Sequence, residues 1–427
     1  MFVYLDNSAT TRPYDSVIER MAEIQRKSYG NPSSLHTAGI EAEKNVKEAR
    51  RAFAGAIGAD EGELCFTSGG TEADNTVLRG VCRSRKRRGK KIITTAVEHP
   101  AVLEPAAQLE AMGFEVEYIG VDEKCRLNIE QLKNALSEDV IMISVMSVNN
   151  ETGTVMPIEE IGRLKEAFNR ANGTDILLHT DAVQAIGKIP INMRGNFKNV
   201  DMMSVSSHKI HGPKGVGGLY VRKGLNLPPF MLGGGQERGM RSGTENVEGI
   251  CGFGEALGIA AECFEDRLQK IASARRILLE ALKDGVDDII INSPQVAAEL
   301  AEEESFRGNF KGDCAENSGD YKRKKIENST VQLGCPSVLS VSFLGTRGEV
   351  LLHTLEQDNI FVSTGSACSS HKKGQSHVLS AMGLSPKEIE GTIRFSFSEF
   401  NTAEEMEYAA DKVIKAVKRF RRLGSFR

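Results

Sequence analysis

Short apolar runs alternate with longer amphipathic stretches over roughly the first 260 residues, and that rhythm leaves few architectures open. Lys91–Ala96, Phe114–Ile119, Val140–Val145, Asp175–His179 and Asp201–Val205 have the length and β-branched content of strands. Between two of them, Ile158, Ile161, Leu164 and Phe168 recur at three- and four-residue spacing, which places them on one face of a helix. Strand then helix, repeated, predicts a mostly parallel sheet covered by helices, an α/β fold. Gly215–Val221 resumes the strand pattern after only a short loop, which suits an antiparallel neighbour.

The texture changes near residue 255. A long helical stretch, Ala256–Lys283, is followed by an alternating strand, Val338–Phe343. Then come a helix over Arg347–Asp358, a strand over Ile393–Phe397 and a last helix over Ala403–Leu423. Fewer strands with helices to one side predict a smaller α+β domain. The expected division is a large domain over 15–255 and a small one built from 1–14 and 256–427. Residues 297–330, acidic, then Gly/Asn-rich, then basic, read as a surface insertion in the small domain.

A chain of 427 residues exceeds one compact core, and its balance of 40% hydrophobic and 26% charged residues is globular. The net charge of −4 gives no overall field for nucleic acid or an anionic membrane. No apolar run nears the ~18 residues that span a bilayer, and the amino terminus lacks the basic region of a signal peptide. The eight cysteines form no CxxC pair, so they read as reduced thiols of a cytoplasmic protein rather than a disulfide framework or zinc site.

Several segments carry chemistry together that none carries alone. Phe66-Thr-Ser-Gly-Gly-Thr-Glu72 opens a helix with paired glycines and hydroxyls, a small anion cup, although such a turn is more often a plain cap. Asp181 stands at the carboxyl end of an apolar strand, where ligands of open α/β sheets sit. Ser206-Ser-His-Lys209 ends the next strand. An amine, an acid and an anion cup at one sheet edge are the parts pyridoxal phosphate needs: a Schiff-base partner, a group to keep the pyridine nitrogen protonated, and a phosphate seat. Lys214 is the rival amine, set in a turn beyond the strand end by Pro213 and its flanking glycines. Ser363-Thr-Gly-Ser-Ala-Cys368 places a cysteine in a small, polar segment with His371, Lys372 and Lys373 close behind, the surroundings of a nucleophile rather than of a core thiol.

With those residues in view, the chain resembles cysteine desulfurases of the NifS/IscS type, in the class V aminotransferase family. The likeness rests on Leu5-Asp-Asn-Ser-Ala-Thr-Thr11, Tyr29-Gly-Asn-Pro-Ser-Ser-Leu-His36, Thr67–Glu72, Val97-Glu-His99, Val148-Asn-Asn-Glu-Thr-Gly153, Asp181-Ala-Val-Gln184, Ser206–Lys209, Gly233–Thr244, Ser363–Cys368 and Ile393-Arg394, all in order along the chain. The resemblance implies the type I fold of pyridoxal-phosphate enzymes, like aspartate aminotransferase, and a homodimer. It implies that Lys209 forms the Schiff base and shuttles the Cα proton, Asp181 pairs with the pyridinium and His99 stacks on the ring. Gln184 and Asn150 would face the phenolic oxygen. Gly70, Thr71, Ser206 and His208 would hold the phosphate, with Thr244 joining from the partner subunit. Arg394, assisted by Asn31, would clamp the substrate carboxylate. Cys368 would take sulfur from L-cysteine as a persulfide, leaving L-alanine, and pass it to a protein acceptor, either an iron–sulfur scaffold or a tRNA-thiolation enzyme. No metal site is expected beyond a transient contact of Cys368 with an iron–sulfur centre.

Two departures from the family pattern leave the acceptor open. The 297–330 segment is longer than the pattern has there, and the sequence stops at Arg427 without the tail by which iron–sulfur members dock their scaffold. A selenocysteine lyase or another class V aminotransferase is the enzymatic alternative, and a non-catalytic acceptor-binding scaffold the other. The basic run Arg83–Lys91 suits a helix carboxyl end capped by Gly89 better than direct nucleic-acid binding.

Overall fold

The computed structural model describes residues 1–296, 334–364 and 375–424. The expected insertion at 297–330 and Cys368 lie outside them. The strands are β1 (Val3–Tyr4), β2 (Leu64–Thr67), β3 (Lys91–Thr95), β4 (Glu115–Ile119), β5 (Val140–Ser144), β6 (Leu177–Asp181), β7 (Met202–Ser206), β8 (Gly217–Val221), β9 (Ile289–Ile291), β10 (Val338–Phe343), β11 (Ile360–Phe361) and β12 (Thr392–Ser396). The helices up to residue 285 are α1 (Asp15–Lys27), α2 (Thr37–Ile57), α3 (Gly70–Arg85), α4 (Pro100–Ala111), α5 (Ile129–Ala135), α6 (Ile158–Asn172), α7 (Val247–Glu262) and α8 (Phe264–Gly285).

Seven strands form the main sheet in the order β2-β8-β7-β6-β5-β3-β4. All neighbours run parallel except β8, which is antiparallel to both β2 and β7. Consecutive side chains of a strand point to opposite faces, and here both faces are buried. Ile93, Ile143, Leu178 and Met203 join one core with Phe53 of α2 and Phe253 of α7, while Ile92, Met142, Leu177 and Met202 join another with Val77 and Leu78 of α3 and Val102 of α4. This explains why the strands read as unbroken apolar runs. α6 buries Ile158 and Ile161, and Leu164 and Phe168 pack partly buried against the same core, the face that the spacing predicts.

A second, antiparallel sheet has the order β12-β10-β9, with Val338–Phe343 facing Ile393 and Phe395 across the ladder. Its core holds Leu339, Val341, Phe343, Ile393 and Phe395, with Leu278 and Leu282 of α8 and Met406, Val413 and Val417 of the last helix, Ala403–Leu423. Val3 and Leu5 belong to the same core, and β1 pairs in parallel with β11. The amino-terminal segment is thus packed with the carboxyl-terminal part of the chain.

The single long helix expected over Ala256–Lys283 is two helices. Cys263 (φ −103°, ψ 21°) breaks them. α7 directs Phe253, Ala256 and Leu257 into the core of the large sheet, whereas α8 directs Ile271, Leu278 and Leu282 into the core of the small one. We propose Cys263, rather than residue 255, as the boundary between the two domains. Gly89 is also not a helix cap. α3 ends at Arg85, with Lys86 following in helical geometry, and Gly89 is small because a Cβ there would lie 2.1 Å from the carbonyl oxygen of Asp139. Within the basic run, Arg85 and Arg88 pair with Asp175, and Lys91 with Glu115 and Glu117. No described helix is long and apolar enough to cross a membrane.

Candidate active site

The carboxyl ends of neighbouring β6 and β7 bring Asp181 and the Ser206–Lys209 turn to one edge of the large sheet. Asp181 is buried, and its Oδ1 accepts from the backbone N–H of Val183 at 2.8 Å. Its Oδ2 takes no hydrogen bond among the described residues. Burial pushes the Asp181 carboxyl up from the usual range, and the Val183 N–H and the charge of Lys209 oppose that shift. Lys209 Nζ donates to the carbonyls of Ser8 at 2.6 Å and Ala9 at 2.7 Å. Lys214, the rival amine, is exposed in the following turn. The Ser8 and Ala9 carbonyls receive Lys209, contacts that side-chain reasoning passes over. The only signal for them is the Leu5–Thr11 motif.

The turn between β2 and α3 puts the glycine pair at the start of the helix. Gly69 has φ +154°, a conformation that favours glycine. A Cβ on Gly70 would lie 2.5 Å from Val183 Cγ2 and 3.8 Å from Ser206 Cβ, so the start of α3 is pressed against the ends of β6 and β7. Gly69 offers no side-chain cap, which leaves the first N–H groups of α3 without that partner. His208 Nδ1 bonds with Thr10 Oγ1 at 3.1 Å. Its pKa falls to about 4, by burial first and then through Lys209 and other nearby lysines. Thr71 and His99 line one cavity of about 530 Å³ between α3 and α4.

His99 caps α4: its Nδ1 accepts from Ala101 N–H at 3.1 Å, so the neutral ring carries its proton on Nε2. Burial, then Lys209 and His377, lower its pKa to about 4. Gln184 is buried, donates from Nε2 to the Ser8 carbonyl at 2.9 Å, and accepts at Oε1 from Lys188 at 3.0 Å. The neighbour of Asn150, Asn149, spends its side chain on the turn, accepting from the N–H groups of Glu151 and Thr152 and donating to the carbonyl of Val97. Asn150 is left with no side-chain hydrogen bond among the described residues, and its carbonyl accepts from Arg394 Nη1 at 3.1 Å. Arg394 Nη2 pairs with Asp6 at 2.9 Å, and its buried Nε has no partner among the described residues.

Two predicted residues stand apart from this group. Asn31 lies in the exposed loop before α2, where its Oδ1 accepts from Ser33 N–H. Thr244 lines a separate cavity of about 150 Å³ with Ser68, Val216 and Arg241. The segment carrying Cys368 is outside the described residues, but both flanks are fixed to this site. Ser363 and Arg394 exchange backbone hydrogen bonds at 3.1 and 2.7 Å. On the other side, Ser376 Oγ donates to Glu151 Oε2 at 2.6 Å and His377 Nε2 to the carbonyl of Glu98 at 2.9 Å. Among the described cysteines, Cys65, Cys82, Cys125, Cys251 and Cys335 are buried and only Cys263 is exposed. Burial raises the thiols of Cys82 and Cys125 to about 12, which suppresses thiolate.

Below Asp181 lie two further buried carboxyls that the sequence does not single out. Burial and the Asp181 charge hold Asp74 well above its usual range, and its Oδ1 is without a hydrogen bond among the described residues. Glu98 Oε1 accepts from Thr95 Oγ1 and Met146 N–H, Oε2 is unpartnered among the described residues, and its pKa is raised to about 8, chiefly by burial. Burial thus favours the neutral form of both carboxyls, Glu98 through a pKa raised to about 8.

An open α/β sheet with this edge defines a type I fold, and the chain belongs to the Aminotransferase class-V family, which it matches over residues 3–309 and 321–408. It is 38% identical to the cysteine desulfurase IscS of Clostridium botulinum over 422 residues, covering 99% of this chain and 96% of that protein. It is likewise 38% identical to a cysteine desulfurase of Nostoc over 425 residues, covering 100% and 95%. Among solved structures, a NifS-like protein superposes with a TM-score of 0.83 at 36% identity, covering 98% of this chain and all of that one. SspA in complex with cysteine gives 0.70 at 30% identity, covering 94% and 100%.

Proposed function

We propose that this chain is a pyridoxal-phosphate-dependent cysteine desulfurase that converts L-cysteine to L-alanine and leaves the sulfur on Cys368. One observation carries the reading. Lys209 and Asp181 follow the neighbouring strands β7 and β6, and the Cys368 segment is anchored nearby, at one flank to Arg394, which bonds the Asn150 carbonyl, and at the other to Glu151. A transaminase needs the first two and has no use for the third.

The residues present suit the cofactor. Gly69 opens α3 with no side-chain cap, which leaves backbone N–H donors for the phosphate, and Asp181 Oδ2 takes no hydrogen bond among the described residues. When bound, pyridoxal phosphate supplies the electron sink for the charge left on Cα after proton loss. Lys209 Nζ would link the cofactor and, when free, would accept the Cα proton of the substrate. Asp181 holds the pyridine nitrogen protonated, and neutral His99 offers an uncharged face for stacking. Gly70, Thr71, Ser206 and His208 seat the phosphate, with Thr244 of a second copy as the outer contact. Gln184 and Asn150 face the phenolic oxygen. Arg394, whose buried Nε has no partner among the described residues, would receive the substrate carboxylate, assisted by Asn31. The Cys368 thiolate attacks the substrate sulfur: an S–S bond forms, the C–S bond breaks, and its electron pair returns to the substrate carbon, which is protonated to give alanine.

A homodimer is supported by exposed large apolar side chains on two loops, Tyr29 and Leu35 on one and Phe230 and Leu232 on the other. The next recipient of the sulfur is a protein acceptor, an iron–sulfur scaffold or a tRNA-thiolation enzyme in the cytoplasm. The reading is tested by incubating the cofactor-loaded protein with L-cysteine and a reductant, without a keto acid. Alanine and sulfide should appear in equal amounts over many turnovers. Alanine formed only when a keto acid is added would make it an aminotransferase, and turnover of selenocysteine alone would make it a selenocysteine lyase.

A further inference from the structure

Lys188 is an expensive residue to keep. It is 5% exposed, and among the described residues no carboxylate lies within ion-pair distance of its Nζ. Its one hydrogen bond among them is to Gln184 Oε1 at 3.0 Å. Burial lowers its pKa to about 8, and the charges of Arg267 and Arg394 push the same way, opposed by Cys335 and Glu399. An amine buried without a counter-ion costs stability, so a role is to be sought in what it touches.

What it touches is an amide whose orientation matters. Gln184 stands between two fixed neighbours: the amine of Lys188, a donor, and the carbonyl of Ser8, which can only accept. The bonds on the two sides therefore agree, with Oε1 toward Lys188 and Nε2 toward Ser8. The same Ser8 carbonyl accepts from Lys209 Nζ at 2.6 Å. A continuous row, Lys188 to Gln184 to Ser8 and back to Lys209, connects the buried amine to the amine at the site.

We propose that Lys188 is a positioning residue for the cofactor: it locks the Gln184 amide so that an N–H, and not the carbonyl, is presented to the phenolic oxygen of the ring. This rests on the reading of Gln184 as a ring contact. An N–H donor stabilises the ionised phenolic oxygen, whereas a flipped amide would set one lone-pair oxygen against another. Without Lys188 the orientation is held from one side only.

The test uses the cofactor-loaded protein with Lys188→Met, Lys188→Arg and Lys188→Gln, and Lys188→Met combined with Gln184→Ala. Two quantities are followed: the pH midpoint of the bound cofactor's visible absorption and its rate of release. Lys188→Met should move the midpoint and speed release about five-fold, the size of one lost hydrogen bond. Lys188→Arg, which still donates, should restore both. In the Gln184→Ala background, Lys188→Met should add nothing. Should Lys188→Met fold poorly, Lys188→Gln, neutral but still a donor, should keep the wild-type midpoint. Equal effects of Lys188→Met with and without Gln184, or a Lys188→Gln midpoint displaced as far as in Gln184→Ala, would overturn the proposal. A silent Gln184→Ala is a different failure: it removes Gln184 from the ring and takes the proposal with it.

Discussion

At the scale of single residues, the site distinguishes two amines a few positions apart. Lys209→Ala should abolish turnover and the cofactor linkage that borohydride traps, while Lys214→Ala, an exposed turn residue, should leave both near wild type. Retention of the trapped linkage in Lys209→Ala would refute the assignment. Asp181→Asn should fold and lose most alanine production, because an amide cannot hold the pyridine nitrogen protonated. Glu98 behaves oppositely. Its pKa rises from 4.5, the value of an unperturbed glutamate, to about 8 in the fold, so above about pH 4.5 the unfolded chain releases a proton that the folded chain keeps. Stability from this group falls as pH rises through that window and levels off above about pH 8. Glu98→Gln, which keeps the oxygen accepting from Thr95 and Met146, should therefore show a smaller loss of melting temperature between about pH 5 and about pH 8 than the wild type. Lys209, Asp181 and His99 are legible in the sequence because each ends a strand or begins a helix that the apolar pattern already marks. Ser8, Ala9, Asp74 and Lys188 are not. The first two act through backbone carbonyls, and the last two matter through burial, which composition does not report.

At the scale of elements, the site depends on how closely α3 begins against β6 and β7. Gly70→Ala would drive a Cβ to 2.5 Å from Val183 Cγ2. It should cost about 1–3 kcal/mol as an overpacked contact and weaken cofactor binding, and Val183→Ala should restore part of both in thermal melts and cofactor titration. The paired glycines at this turn are plain in the sequence, but Val183 as the reason for the second is a tertiary contact. The Ala256–Lys283 stretch shows the reverse. Its apolar periodicity predicts one helix, and only the need to serve two cores places a break at Cys263. The strands β1 and β11, two residues each, have no pattern of their own and go unread in the sequence.

At the scale of the molecule, the first residues and the last third of the chain close the site together. Leu5 packs in the small core, Ser8 and Ala9 receive Lys209, and Asp6 holds Arg394. A buried carboxylate, Glu399, bonds Tyr14, Arg267 of α8 and His211. The hydrogen bonds from His211 and Arg267 and the Arg267 charge hold its pKa far below the usual range against the cost of burial. Glu399→Ala would strand Arg267 in the interior and should destabilise the protein by about 3–5 kcal/mol in denaturant titration. The central claim is that this framework brings sulfur to Cys368, and the most direct measurement is mass spectrometry of proteolytic peptides after limited turnover of L-cysteine, in wild type and Cys368→Ser. The expected result is one added sulfur on the peptide containing Cys368 in the wild type, and neither persulfide nor more than a trace of alanine in Cys368→Ser, with cofactor binding intact. Sulfur found reproducibly on Cys314 or Cys335 instead, or undiminished alanine release by Cys368→Ser, would contradict it.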